Sequence, residues 1–272
     1  MYLDKSHIIK ATAVVLFVLI VFIIFKVGIL DESVDLNSSN NCPTDRSLVQ
    51  DKTIILIDET TAYKDFQKKM LSQNLTSLVK YEMLRPYEML SIFVVNDKPR
   101  AIEPIFEKCY PSIDESAINV EIQKDEYLEP FKQELTDISE QAFTTNKQFG
   151  SPLLEWIREI LERPELKDKN IRLIIFSDML ENTKTLSFYP SNIEGVGRYN
   201  FSKSSSYDYW KSHKISSIFL KNIEFPNLTN LSIAVIQLEN KDYPAGHSLK
   251  VKEFWLNFFE DKGLPFDFKK SC

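Results

Sequence analysis

The chain has 272 residues with 43% apolar side chains, 19 Phe and 11 Tyr, enough to bury a sizeable core, and only six Gly, which excludes collagen-like or low-complexity character. Net charge is −6, and no long Lys/Arg run is present, so a nucleic-acid partner is not expected. Three Cys and three His, with no Cys-x-x-Cys pair, argue against a zinc site and against a His-based catalytic centre.

Residues 1–7 form a short tail. From Ile8 to Leu30 the chain carries charge only at Lys10 and Lys26, and Ala11 to Phe25 holds none. At ~1.5 Å per residue this stretch reaches about 35 Å, enough to cross a hydrocarbon core of ~30 Å. The two lysines sit where they can snorkel to headgroups. A cleaved signal peptide shares the basic start and apolar core, but the run is long and no A-x-A-like site follows. A retained transmembrane helix over 8–30 is therefore expected. Lys5 and Lys10 precede it, and Asp31, Glu32 and Asp35 follow, which favours a cytoplasmic N-terminus and an extracytoplasmic domain. On that side of a membrane Cys42 and Cys109 can pair as a disulfide, leaving Cys272 free.

Residues 31–50, rich in Asn, Ser and Asp, read as a flexible stalk. A domain over 51–272 follows, in which strand and helix signals alternate. Thr53–Ile57 is a continuous β-branched run of the kind covered on both faces. A helix over about 62–81 places Phe66, Met70, Leu71, Leu75, Leu78 and Val79 in one stripe. Met89–Val95 is a second strand, and residues 100–106 offer a short partner to it. A helix over about 126–143 presents Phe131, Leu135 and Ile138. Ser151-Pro152 opens another, with Leu153, Leu154, Trp156, Ile157, Ile160 and Leu161. Ile171–Phe176 and Leu231–Leu238 are further strands, and a helix over 248–259 aligns Val251, Phe254, Trp255 and Phe258. Residues 182–229 are polar and weakly periodic, an insertion with one helix near 209–220. Its Tyr207, Tyr209 and Trp210 suit either a partner contact or local packing. The alternation predicts an α/β fold with a doubly wound, mostly parallel sheet and helices on both faces.

Ligands of such sheets bind at the strand carboxyl ends. There the first strand delivers Asp58-Glu59-Thr60-Thr61, a later one Ser177-Asp178, and Ser151 opens the helix between them. Carboxylates with hydroxyls are hard-oxygen donors suited to Mg²⁺ or Mn²⁺. Each also has a purely local role open to it: Asp58, Thr60 and Ser151 as helix caps, Asp178 as the cap of a turn.

In this order the residues resemble the von Willebrand factor A (integrin I-like) family. Its metal-ion-dependent adhesion site combines an Asp-x-Ser/Thr-x-Ser run after the first strand, a Thr opening a later helix and an Asp after a later strand. The resemblance maps these onto Asp58 and Thr60, Ser151, and Asp178, with Ala62 standing where the family places a coordinating Ser. It implies a membrane-anchored protein-binding module that uses a Mg²⁺ or Mn²⁺ ion, or else a structural subunit of a membrane complex in which a degenerate site is vestigial. A metal-dependent hydrolase is the remote alternative, because Asp58 and Asp178 would both be spent on the ion and no adjacent nucleophile–base pair is present. The alternation also fits a nucleotide-binding Rossmann fold, but neither GxGxxG nor GxxxxGK[ST] is present. No enzymatic activity and no small-molecule substrate are expected.

Overall fold

The structure is a computed structural model and describes residues 34–60, 64–80, 83–95, 103–113, 119–141, 150–183, 186–188, 199–200, 207–212, 230–238 and 246–269. Residues 8–30, on which the transmembrane reading rests, lie outside this set. Among the described residues no helix is long and apolar enough to cross a membrane.

Six strands form one sheet: β1 (Asp51–Asp58), β2 (Met89–Val95), β3 (Phe106–Cys109), β4 (Asn170–Ser177), β5 (Leu231–Gln237) and β6 (Phe266–Lys269). Their spatial order is β3-β2-β1-β4-β5-β6. All neighbours run parallel except β2 and β3, which pair antiparallel from Met89↔Cys109 to Ile92↔Phe106. The expected partner of β2 is thus present but lies at Phe106–Cys109 rather than at 100–106. Strand β6 was not foreseen, although the Phe266-Asp-Phe-Lys alternation carries a period of two.

Among the described residues the helices are α1 (Asp65–Lys80), α2 (Val120–Gln123), α3 (Glu129–Gln141), α4 (Leu153–Leu161), α5 (Tyr207–Ser212) and α6 (His247–Asp261). A π-helical turn, Lys124–Leu128, joins α2 to α3, so this helical stretch starts earlier than its apolar spacing suggested. The burial of β1 shows why the sheet needs two layers of helices. Ile54 and Leu56 join the cluster made with α4 and α6, whereas Ile55 and Ile57 join the one made with Leu71, Leu75, Leu78 and Val79 of α1 and Phe131 and Leu135 of α3. Alternate residues of one strand serve opposite faces, which is the doubly wound arrangement the sequence predicted. Phe66 departs from its stripe: it sits in the first turn of α1 and is 52% exposed.

At the amino ends of the strands a polar network fixes register. Glu88 accepts from Thr53 and from Arg172 Nη2 (3.0 Å) through Oε1, and from the Arg85 backbone N–H (2.8 Å) through Oε2. Arg172 Nε also donates to Thr53 Oγ1 at 2.8 Å. The buried carboxylate is thereby paired and hydrogen-bonded at once, the condition under which such a group is tolerated.

Two boundaries need correction. The stalk expected over 31–50 does not extend through 37–50. The compact unit begins at Asn37, Cys42 and Val49 are buried, and the Cys109 N–H donates to Asn40 O at 2.9 Å. Asp45 caps the short 3-10 helix Arg46–Leu48 through Ser47 N (2.9 Å). A disulfide joins Cys42 to Cys109 with their Cα atoms 4.8 Å apart. The polar composition of this segment reflects turns and caps, which use the same residues as linkers do. The insertion over 182–229 is likewise not wholly peripheral, since Leu186, Phe188 and Tyr207 belong to the core cluster with α6. The Tyr207 hydroxyl donates to Asp261 at 2.9 Å, so of the two roles open to Tyr207 it takes the packing one. The helix expected near 209–220 is α5, Tyr207–Ser212; residues 213–229 are not among those described.

Candidate functional site

The strand order reverses direction between β1 and β4, and the crevice at the carboxyl ends of such a pair is where open α/β sheets place their ligands. Register brings the residues together there. Ile57 pairs with Phe176, so Asp58 and Ser177 come next, side by side, and the Ser177 hydroxyl donates to Asp58 Oδ2 at 2.7 Å. The Ser151 hydroxyl donates to the same oxygen at 3.4 Å. Oδ1 accepts from the Thr60 hydroxyl at 2.6 Å and from the Thr60 N–H at 3.0 Å. Asp58, Thr60, Ser151 and Ser177 are all buried.

Three of the four sequence-selected residues therefore meet. Asp178 stands one residue beyond Ser177, and its Oδ1 accepts the Leu180 N–H at 3.1 Å, capping a turn. Strand alternation accounts for the place of Ser177. Ser177 continues the face of Leu173 and Ile175, which is also the face of Leu56 and Asp58, whereas position 178 falls past the last residue of β4. The signal for Ser177 was present in the sequence, in strand parity. Ser151 is not the cap of α4: its backbone exchanges hydrogen bonds with Asn182 (2.9 and 2.8 Å), and the cap position is Pro152. The Leu154 N–H is satisfied by Glu181 Oε2 at 3.0 Å. Glu181 escaped the sequence reading entirely, because nothing local marks a helix cap delivered from another loop.

Burial pushes the Asp58 carboxyl above its usual range, and the hydrogen bonds from Ser177, Thr60 and Ser151 pull it back only in part. Burial, and then the charges of Glu155 and Asp58, push Glu181 well above its usual range too, against the pull of the Leu154 and Leu153 N–H groups. A carboxyl that binds its proton more tightly folded than unfolded makes folding less favourable once the pH passes its unfolded value. In a chelator, unfolding free energy is therefore expected to fall as pH rises above about 4, where unfolded carboxyls titrate. Asp58→Asn should flatten that fall, as read by denaturant midpoints from pH 3 to about 7. An unchanged slope in the variant would show that Asp58 is not its source.

The donor set fits a hard divalent cation in kind. Each hydroxyl gives its single proton to Asp58 and keeps at least one oxygen lone pair for an ion, Ser177 having given its other to the Met179 N–H, and no soft ligand intervenes. Among the described residues no group of three or more His, Cys, Asp or Glu gathers to hold a metal; the groups that converge on Asp58 are the hydroxyls of Thr60, Ser151 and Ser177. Position 62, where the resemblance lacks its second Ser, is outside the described residues.

No protein-family model matches the sequence, and no curated protein matches it. Solved structures share the fold only distantly. The human COPII-coat protein Sec24c is 12% identical with a TM-score of 0.42 over 82% of this chain and 30% of its own. The conserved hypothetical protein BatB from Bacteroides thetaiotaomicron is 9% identical with a TM-score of 0.36 over 82% of this chain and 91% of its own. The von Willebrand factor type A protein from Catenulispora acidiphila is 8% identical with a TM-score of 0.31 over 79% of this chain and 43% of its own. The chain spans well under two thirds of most of these, 30% of the human coat protein and 43% of the Catenulispora protein. With TM-scores this low, the fold class stands on strand order and register. What these define is a doubly wound α/β domain with a buried carboxylate–hydroxyl cluster at the switch point of its sheet.

Proposed function

We propose that this chain is a von Willebrand factor A-type binding module, tethered to a membrane by residues 8–30, that engages a protein partner through the carboxyl ends of its strands. The observation that carries this reading is the convergence of Thr60, Ser151 and Ser177 on Asp58 at the switch point. Hydrogen bonds from three residues make the buried carboxylate tolerable, and its place at the carboxyl end of β1, where open α/β sheets take their ligands, is what supports a binding role. In this reading Asp58, Thr60, Ser151 and Ser177 hold Mg²⁺ or Mn²⁺, with Asp178, the residue after Ser177, as a further candidate ligand. The ion supplies an open coordination position for an acidic side chain of the partner. The Cys42–Cys109 bond supports an extracytoplasmic domain, since such bonds persist outside reducing compartments. We assign the protein no reaction.

Thermal unfolding of the full chain in detergent micelles, titrated with Mg²⁺ and Mn²⁺, tests the proposal. The midpoint is expected to rise with ion concentration, and Asp58→Ala is expected to abolish the rise; ligand at a hundred times its Kd contributes about 2.7 kcal/mol. No response in the wild type removes the ion from the reading. It then leaves a structural subunit of a membrane complex, the role that Ala62 and the turn-capping of Asp178 favour.

A further inference from the structure

Glu181 lies on the loop after β4 and is fully buried. Its Oε2 accepts the Leu154 N–H at 3.0 Å, at the start of α4, while its Oε1 has no hydrogen-bond partner. The next residue, Asn182, holds Ser151 through the reciprocal backbone pair at 2.9 and 2.8 Å. Residues 151–154 are thus fastened at two points to one loop, by a backbone bridge and by a carboxylate. What this fastening places is the Ser151 hydroxyl. Its 3.4 Å contact to Asp58 is longer than those from Ser177 and Thr60, and so more easily lost than they are when the loop shifts.

A structural cap does not require this residue. Ser, Thr or Asp at the cap position serves a helix start without burying a lone acceptor oxygen, which costs about 1–3 kcal/mol. Here the cap position is Pro152, and the acceptor arrives from the strand loop that also carries Ser177 and Asp178. The charged groups acting on Glu181 are Glu155 of α4 and Asp58 of β1, both acidic, so the hydrogen bond to the helix start, not an ion pair, sets its place. Helix α6 presents to this loop the uncharged Trp255, whose Nε1 donates to Met179 O.

We propose that Glu181 is a positioning residue of the strand-end site: its side-chain oxygen holds the start of α4 so that the Ser151 hydroxyl stands beside Asp58 as a cation ligand. The proposal rests on the cation-binding reading above. Its test is a Mn²⁺ titration of the full chain in detergent micelles, paired with hydrogen exchange of the backbone amides. Glu181→Asp keeps the charge but falls short of Leu154 N, and is expected to weaken Mn²⁺ binding about tenfold, as loss of a ligand-orienting group does. Glu181→Gln keeps an oxygen at the same reach and is expected to bind Mn²⁺ nearly as the wild type. Ile160→Val, a cavity in the same helix, is expected to lower stability and leave affinity unchanged. Wild-type affinity in Glu181→Asp, or a loss in Glu181→Gln as large as in Glu181→Asp, overturns the proposal. Should the wild type bind no Mn²⁺, the cation reading fails by itself, and exchange at the Ser151 and Asn182 amides decides the rest. Faster exchange in Glu181→Asp but not in Ile160→Val upholds the positioning of Ser151, and equal protection overturns it.

Discussion

Replacing Trp255 by alanine is expected to cost about 4 kcal/mol of unfolding free energy, within the range for deleting a buried large aromatic side chain. Trp255 is fully buried at the centre of α6. It stacks on Phe259 (centroids 5.5 Å apart, planes at 25°) and meets Phe258, Phe254 and Phe188 edge to face at 5.7, 6.0 and 6.1 Å. Aromatic pairs in these geometries add to the burial itself. The indole also makes a polar contact that an apolar residue cannot replace: Nε1 donates to Met179 O at 2.8 Å. Met179 has φ = 63°, a left-handed conformation that costs a non-glycine residue about 1–2 kcal/mol. Two hydrogen bonds hold it there, this one and the Met179 N–H donated to Ser177 Oγ at 2.7 Å. Since Ser177 also donates to Asp58, one hydroxyl links the strained turn to the candidate site. Trp255→Phe separates the two contributions. It retains most of the packing and is expected to lose about 1–3 kcal/mol through the unpaired carbonyl. Equilibrium urea unfolding of the three proteins measures both, and a phenylalanine variant as unstable as the alanine one would show that the hydrogen bond dominates the packing.

The layered sheet was legible because its signals are periodic. The central strands are rich in apolar residues, with β1 a continuous β-branched run over Thr53–Ile57, and β2 runs over the residues expected, Met89–Val95. The α4 stripe from Leu153 to Leu161 likewise follows from spacing alone. Edges were less legible. Strands β3 and β6 have four residues each, too few for periodicity to stand out, and Phe266 and Phe268 are only partly buried against the core. Phe66 shows the converse: helical spacing includes it, yet it is 52% exposed while its neighbour Gln67 is buried. The candidate site divides in the same way. Asp58 and Thr60 are read directly because they follow a strong strand. Ser151 was found for a local reason, the Ser-Pro helix start, yet its hydroxyl serves Asp58 across the fold. Ser177 needed register, and Glu181 needed the path of a loop, neither of which any single stretch of sequence contains. The segment 37–50 misled for a further reason, since a turn-rich strap and a flexible tether have the same composition until a long-range bond distinguishes them.

That bond carries the second large effect. Replacing both Cys42 and Cys109 by serine is expected to lower stability by about 4 kcal/mol, the loop-closure value for a bridge across 67 residues. For a domain of this size the loss corresponds to a fall of roughly 10 °C in Tm. The cysteines with Val49 and Met89 form a small buried cluster of their own, separate from the two clusters that sandwich the sheet. Little apolar burial therefore holds residues 37–50 to β3 once the bond is gone, and the Cys109 N–H to Asn40 O hydrogen bond is left exposed to fraying. The loss should accordingly be uneven. Amides of residues 37–49 and of Cys109 are expected to exchange much faster in the double-serine variant, while those of β1 and β4 lose protection only in proportion to the global change. Uniform loss across the sheet would instead mean that the strap is needed for the sheet to close. Because both sulfurs are buried, a reductant added to the folded protein is expected to act only through opening of this strap. The rate of reduction and the rate of amide exchange at Asn41 should then rise together with urea, and reduction that ignores urea would exclude that coupling.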